Sequence, residues 1–129
     1  MKTLLLTATA IIFSNLLLAQ SYDKKIAGVW KGTSLCQVKD SPCHDEQVVY
    51  YVTKNKIPNG FSFRATKMVN GKEEEMGTLE YTFDPKTQQL TSTPRQNVVW
   101  KLKLTDKKLD GTLHNNGQLY RIVAVSKVK

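Results

Sequence analysis

The densest group of chemically active side chains is Cys43-His44-Asp45-Glu46. A histidine beside two carboxylates could act as an acid–base centre or supply ligands to a metal ion. Because successive residues of a strand point to opposite faces, at most His44 and Glu46 could converge, and a metal site would need a third ligand such as His114. The alternative is a loop exit at which Asp45 accepts hydrogen bonds from turn amides. We favour this structural interpretation.

No motif of a known enzyme class accompanies the cluster. The chain contains only two histidines, and a catalytic set of nucleophile, base and orienting group would need further placed partners. We therefore expect no catalytic residues, no metal ion and no cofactor, and we predict a protein that is not an enzyme.

The N-terminus has the three-part layout of an export signal. Lys2 provides a positive start, residues 4–18 form a mainly apolar run, and Ala19 offers a small residue at a cleavage site. A membrane-spanning helix needs about 20 apolar residues, so a cleaved signal is favoured over an uncleaved anchor. We predict a signal peptide at residues 1–19, a single mature domain at residues 20–129, and a secreted or periplasmic location.

Export determines how the two cysteines are interpreted. Cys36 and Cys43 would lie in an oxidising compartment, where paired thiols form disulfides. The residues between them include Asp40-Ser41-Pro42, which favours a turn. A disulfide across this short loop would stabilise the fold by about 2–2.5 kcal/mol. A redox pair or a metal site with His44 is the alternative, but the spacing is not Cys-x-x-Cys.

Length and composition limit the mature protein to one small basic domain. Removing the signal from the 129 residues leaves about 110 and lowers the formal net charge from +8 to +7, since Lys2 is lost. A hydrophobic fraction of 40% supports a folded core. Two ordinary domains and a cysteine-rich miniprotein are both excluded. We expect a monomer without a further transmembrane segment.

The excess of lysine suggests an anionic partner. In a sequential barrel the sixth, seventh, eighth and first strands are neighbours, so their basic side chains could share one outer wall: Lys31, Lys101, Lys103, Lys127 and Lys129, with Arg121 near its end. Such a wall would attract an acidic protein or an anionic surface. Export and the lack of stacking aromatic residues beside the lysines disfavour nucleic acid. An ordinary solvated surface is the alternative.

Turn signals divide the mature chain into eight β-rich runs: 26–36, 46–53, 61–69, 76–83, 88–93, 98–105, 109–114 and 118–127. Asn-Gly pairs such as Asn59-Gly60 and Asn70-Gly71 are typical of hairpins. In the sixth run Trp100 and Leu102 share one face, and Lys101 lies on the other. Short links between alternating strands predict an all-β, eight-stranded antiparallel up-and-down barrel.

The interior of such a barrel is either filled by side chains or holds one small ligand. The interior candidates are mostly large: Trp30, Phe61, Phe63, Tyr81, Phe83 and Trp100. We therefore expect little empty volume and no deep cavity for a large lipid.

Gly28-Val29-Trp30 on the first strand and Arg121 on the last resemble the calycin superfamily, which includes the lipocalins and avidins. The resemblance implies a lipocalin-like barrel in which Gly28 lets the chain coil and Arg121 packs over Trp30 to close one end. A guanidinium on an indole contributes about 0.5–2 kcal/mol. The segments 32–36 and 43–46 also resemble a group of small secreted bacterial proteins of unknown activity.

Two functions fit these expectations. The first is a carrier that binds one small apolar or amphipathic ligand at the open barrel end, lined by Tyr50, Tyr51, Arg64, Tyr81 and Trp100. The second is a protein-binding module, such as an inhibitor or accessory factor of an exported enzyme, acting through loops 54–60 or 94–97. An interior pocket of about 300 Å³ or more favours the carrier. A solid interior with an exposed apolar loop patch favours the module.

Overall fold

The computed structural model describes residues 22–129, and the predicted signal peptide lies outside the described residues. A helical turn over residues 22–26 precedes the first strand. Eight strands follow: β1 Gly28–Cys36, β2 Glu46–Lys54, β3 Gly60–Val69, β4 Lys72–Asp84, β5 Gln89–Ser92, β6 Val98–Thr105, β7 Lys108–Asn115 and β8 Gln118–Lys127.

The strands form a closed antiparallel barrel. Each strand pairs with its neighbour in sequence, and β8 returns to pair with β1. Asn59, Asn70 and Asn116 have φ values of 57°, 51° and 50°, the left-handed conformation that tight hairpin turns require. The predicted up-and-down eight-stranded barrel is confirmed, and it is consistent with a calycin-like fold.

Two strand boundaries differ from the prediction by more than one residue. β1 begins at Gly28 rather than residue 26, because residues 22–26 form the helical turn. β4 begins at Lys72 rather than residue 76, so the acidic residues 73–75 belong to the strand. Two of these carboxylates have cross-strand partners: Glu73 accepts hydrogen bonds from β2 and β3, and Glu75 pairs with β3.

One end of the barrel, where β1 begins and β8 ends, is filled; we call it the closed end. Ile26 and Trp30 have no solvent exposure, and Trp30 Nε1 donates a 2.9 Å hydrogen bond to the Ile26 carbonyl oxygen. Gly28 has φ 140°, and a side chain there would overlap the backbone of Lys129. The helical turn and Trp30 therefore plug the closed end.

The cation beside Trp30 is Lys127, not Arg121. Lys127 lies directly opposite Trp30 in the β1–β8 register, and its Nζ is 6.0 Å from the indole centroid. Arg121 lies opposite Cys36, six residues and about 20 Å further along the strands. The expected Arg121–Trp30 stack is therefore wrong, and Arg121 belongs to the other end of the barrel, which we call the open end.

Inward-facing side chains alternate with outward-facing ones along the strands and form the core. In β6, for example, Leu102 and Leu104 are buried, and Lys101 and Lys103 are exposed. Leu90, Leu109 and the closed-end aromatic residues continue the same interior. Across residues 22–129, no helix has the length and apolar character needed to cross a membrane.

Candidate functional site

The open end of the barrel contains a cavity of about 350 Å³. Its lining residues come from β1–β4, β6 and β8 and from the β5–β6 loop: Ser34, Glu46, Val48, Tyr50, Phe63, Ala65, Met76, Gly77, Thr78, Leu79, Tyr81, Arg95, Trp100 and Arg121. The expected scarcity of empty volume therefore applies to the closed end only. Small side chains at Ser34, Ala65 and Gly77 leave the open end hollow.

Aromatic and aliphatic groups form the inner wall of this cavity. The rings of Phe63 and Tyr81 lie 4.2 Å apart between centroids, and those of Tyr50 and Phe63 lie 5.9 Å apart. Val48, Ala65, Leu79 and Trp100 add apolar surface. These contacts hold the three rings in a fixed arrangement, so the wall is preformed for an apolar group.

Two phenol hydroxyls face the cavity from this wall. Tyr50 and Tyr81 are 6% and 4% exposed, and within residues 22–129 neither hydroxyl has a hydrogen-bond partner. Both residues line the cavity, and in the same part of the chain no fully buried side-chain oxygen lacks a partner. Burial raises the pKa of both phenols, which keeps them protonated as hydrogen-bond donors at neutral pH.

Arg121 supplies a guanidinium beside the phenols. Its Nη1 donates to the carbonyl oxygens of Ser34 and His44 at 3.1 and 3.0 Å, and to the Ser34 hydroxyl at 3.3 Å. Its Nη2 is 3.3 Å from Oε1 of Glu46. The Arg121 side chain is 11% exposed, so these contacts compensate for much of its lost hydration.

The loop between β1 and β2 holds Arg121 in place. The predicted disulfide between Cys36 and Cys43 is confirmed, and it closes the loop immediately before His44 and Glu46. Asp45 accepts a 2.8 Å hydrogen bond from the Cys36 amide, in agreement with the loop-exit interpretation. Lys67 Nζ approaches Glu46 at 3.9 Å from β3. The loop thus links the disulfide to the polar side of the cavity.

The sequence-predicted ligand-binding residues divide into two groups. Tyr50, Tyr81 and Trp100 line the cavity. Tyr51 and Arg64 do not: Arg64 lies 4.2 Å above the Tyr51 ring and pairs with Glu75 on the outer wall. Tyr51 follows Tyr50 on β2, and the strand alternation places it on the opposite face.

The outer Tyr51 has its own hydrogen bond. Its hydroxyl donates to Oε1 of Glu73 at 2.6 Å, and Thr66 donates to the same oxygen at 2.9 Å. The bond to Tyr51 is the main reason that the pKa of Glu73 is lowered, and the bond also raises the pKa of Tyr51. This group joins β2, β3 and β4 and has no contact with the cavity.

The predicted wall of basic residues is divided between different parts of the barrel. Arg121 lies inside the open end, and Lys127 lies against Trp30 at the closed end. Lys103 is paired in register with the oppositely charged Asp110 on the outer wall. Lys31, Lys101 and Lys129 are exposed. A single basic wall is therefore not formed.

Five polar lining residues were not assigned to a ligand site from the sequence: Ser34, Glu46, Thr78, Arg95 and Arg121. For two of these residues, the alternation of inward and outward side chains along a strand indicates a position inside the barrel. Side chains separated by an even number of residues along a strand lie on the same face. Ser34 therefore shares a face with the buried Trp30, and Arg121 shares a face with the buried Val123 and Val125. Arg95 lies in a loop, where alternation gives no information.

The described part of the chain contains no group of side chains arranged to bind a metal ion. No three residues among histidine, cysteine, aspartate and glutamate stand close enough to hold a metal ion within residues 22–129. His44 is exposed, and His114 lies beside Thr112 on β7, with 3.3 Å between its Nδ1 and the threonine hydroxyl.

Comparisons with protein-family models, with curated proteins and with solved structures gave no match. The functional argument therefore depends on the chemistry of the cavity.

Proposed function

We propose that the protein is a lipocalin-like binding protein for one small amphipathic ligand. The observation that carries this proposal is the 350 Å³ cavity, whose apolar wall is joined to two phenol donors that have no hydrogen-bond partner among residues 22–129. Ligand sites of this kind are mainly apolar, with a few placed polar groups that orient the ligand. The volume lies near the lower limit for small-molecule sites, so the ligand is compact.

The arrangement of polar groups indicates how the ligand is oriented. The apolar body lies against Phe63, Leu79 and Trp100, and an oxygen acceptor meets the hydroxyls of Tyr50 and Tyr81. Arg121 adds positive potential on the same side. Leaving two phenols unpaired inside a filled cavity costs free energy, so an acceptor on the ligand is favoured over a pure hydrocarbon.

A binding role also accounts for the remaining features. Among the lining residues, the Glu46 carboxylate pairs with Arg121 and the Ser34 hydroxyl accepts a hydrogen bond from the same guanidinium, so both groups have structural roles in the described site. The disulfide is suited to an oxidising compartment, which supports a secreted or periplasmic location. A protein-binding module acting through loop 54–60 is less well supported, because it assigns no role to the cavity.

Native mass spectrometry of the protein purified from its own envelope tests the proposal directly. We expect one small molecule per chain, released on unfolding. Titration of the emptied protein with medium-chain fatty acids and alcohols should then change the fluorescence of Trp100, which lines the cavity. A co-purifying protein with no small molecule, and no response to any titrant, would contradict the carrier.

Adjacent tyrosines provide a matched control. Tyr50→Phe should weaken binding about 5–50-fold, since a ligand acceptor loses its donor. Tyr51→Phe removes the same atom from the outer wall and should leave affinity unchanged. Equal effects of the two substitutions would show that the ligand does not occupy the barrel interior.

A further inference from the structure

The positive charge of the protein is concentrated at the closed end. Five chain segments meet there: residues 22–27, 54–60, 84–88, 105–108 and 127–129. Together they contain nine lysines and three aspartates, a formal net charge of +6. All other residues from 28 to 126 contribute nine basic and eight acidic side chains, a net charge of +1. The excess charge of the described protein is thus almost wholly at one end.

The lysines surround the closed end rather than crowding one side. Each of the five segments supplies at least one exposed lysine: Lys24, Lys56, Lys86, Lys107 and Lys129. A ring of cations on one end of a barrel presents a broad face to a partner. This distribution fits an extended anionic surface better than a single small anion.

Two apolar side chains project within the same ring. Ile57 and Val128 are 57% and 52% exposed, the highest values among the large hydrophobic residues of the described chain. Ile57 lies in the β2–β3 loop and Val128 follows β8, so both are at the closed end. Exposed aliphatic groups surrounded by lysines match the interface of a bilayer, where cations meet phosphates and apolar groups enter the acyl boundary.

A groove between the lysines could receive a head group. It has a volume of about 430 Å³ and is lined by Lys24, Lys25, Gln88, Leu104, Asp106, Lys107 and Lys127. Lys127 Nζ is held by the carbonyl oxygens of Lys24 and Lys25, at 2.7 and 3.1 Å, so its charge is fixed beside the groove. Lys24 and Lys107 are exposed beside the groove, and Lys25 Nζ lies 5.4 Å from the centroid of the Tyr22 ring.

We propose that the closed end docks on an anionic phospholipid bilayer, with the lysine ring against the head groups and with Ile57 and Val128 in the interface. This orientation directs the open end, with its cavity, away from the lipid. The proposal does not depend on the function proposed for the cavity, because it uses the opposite end of the barrel.

Vesicle flotation tests the docking proposal. The exported protein, without detergent, is mixed with vesicles of equal parts phosphatidylcholine and phosphatidylglycerol, or of phosphatidylcholine alone. We expect binding to the mixed vesicles only, and weaker binding as salt is raised. The double variant Lys56→Gln, Lys107→Gln should bind about 30-fold more weakly. Ile57→Ser should cause a loss of about tenfold.

Lysines at the open end provide the control. Lys39→Gln with Lys72→Gln removes the same charge from exposed positions of the β1–β2 loop and the start of β4. This variant should retain its affinity for the mixed vesicles. An equal loss in both double variants would show that only the total charge matters and would overturn the proposal. Binding to soluble polyphosphate at the same lysines, without binding to vesicles, would also overturn it.

Discussion

Arg121 and Glu46 face each other inside the open end of the barrel, with 3.3 Å between Nη2 and Oε1, although 75 positions separate them in the sequence. The pair joins the last strand to the second strand across β1. It also places a charged pair at the border of the cavity, next to the phenol of Tyr50.

Arg121→Met should lower the free energy of unfolding by about 2–4 kcal/mol, because Glu46 and two carbonyl oxygens lose their donor in a mostly buried site. Urea unfolding monitored by circular dichroism measures the change. Combining Arg121→Met with Glu46→Gln should cost less than the sum of the two single changes. Strict additivity would show that the pair does not interact.

Replacing Cys36 and Cys43 by serine should lower the unfolding free energy by about 2–2.5 kcal/mol, the value expected for so short a loop. Because the loop presents the His44 carbonyl to Arg121, we also expect weaker ligand binding at the open end. Vesicle binding through the closed end should be unaffected. A decrease in vesicle binding would show that the loss of the disulfide disturbs the whole barrel.

Alkaline pH should destabilise the protein through its buried phenols. An unfolded tyrosine loses its proton near pH 10.0, whereas the pKa values of Tyr50 and Tyr81 are raised in the folded state. Above that pH the folded protein binds more protons than the unfolded chain, so the unfolding free energy falls as pH rises. Below it, this contribution to stability is fully present.

Urea unfolding at a series of pH values from about 8 to about 11.5 measures this effect. The double variant Tyr50→Phe, Tyr81→Phe should show a much smaller alkaline decrease. The lowered pKa of Lys127, caused first by burial and then by Lys107, acts in the opposite direction as the pH approaches 10.5. Retention of the full decrease in the double variant would assign it to other groups.

Trp30→Ala should lower the unfolding free energy by about 3–5 kcal/mol, because the indole is fully buried in the closed-end plug. Trp30→Phe retains most of the packing and removes the hydrogen bond to the Ile26 carbonyl oxygen, so a smaller loss of about 1–2 kcal/mol is expected. An unchanged melting temperature for Trp30→Ala would contradict the plug.

The fold could be predicted because its signals are local. The Asn-Gly turns and the alternation around Trp100 and Leu102 each depend on a few neighbouring residues, and short links then favour pairing in sequence order. The position of Arg121 could not be predicted in the same way. It depends on the β1–β8 register, which brings together Ser34 and Arg121 from positions 87 apart.

The cavity was difficult to predict for two physical reasons. In β2 the continuous run of residues 48–52 hides the alternation, so Tyr50 and Tyr51 could not be assigned to a face from their own sequence. The number of large interior side chains in the sequence also does not show where along the barrel they lie. Trp30, Phe61 and Phe83 fill the closed end, whereas the small side chains of Ser34 and Ala65 line the open end.

The return of β8 to β1 has a consequence for how the site can diversify. Every strand is bonded on both sides, so the width of the barrel is set by its strand number and stagger, not by individual side chains. Substitutions at Ala65 or Ser34 would reshape the binding space while the outer Tyr51–Glu73 bond remains intact. Single substitutions in the cavity lining can thus change the ligand preference without altering the barrel.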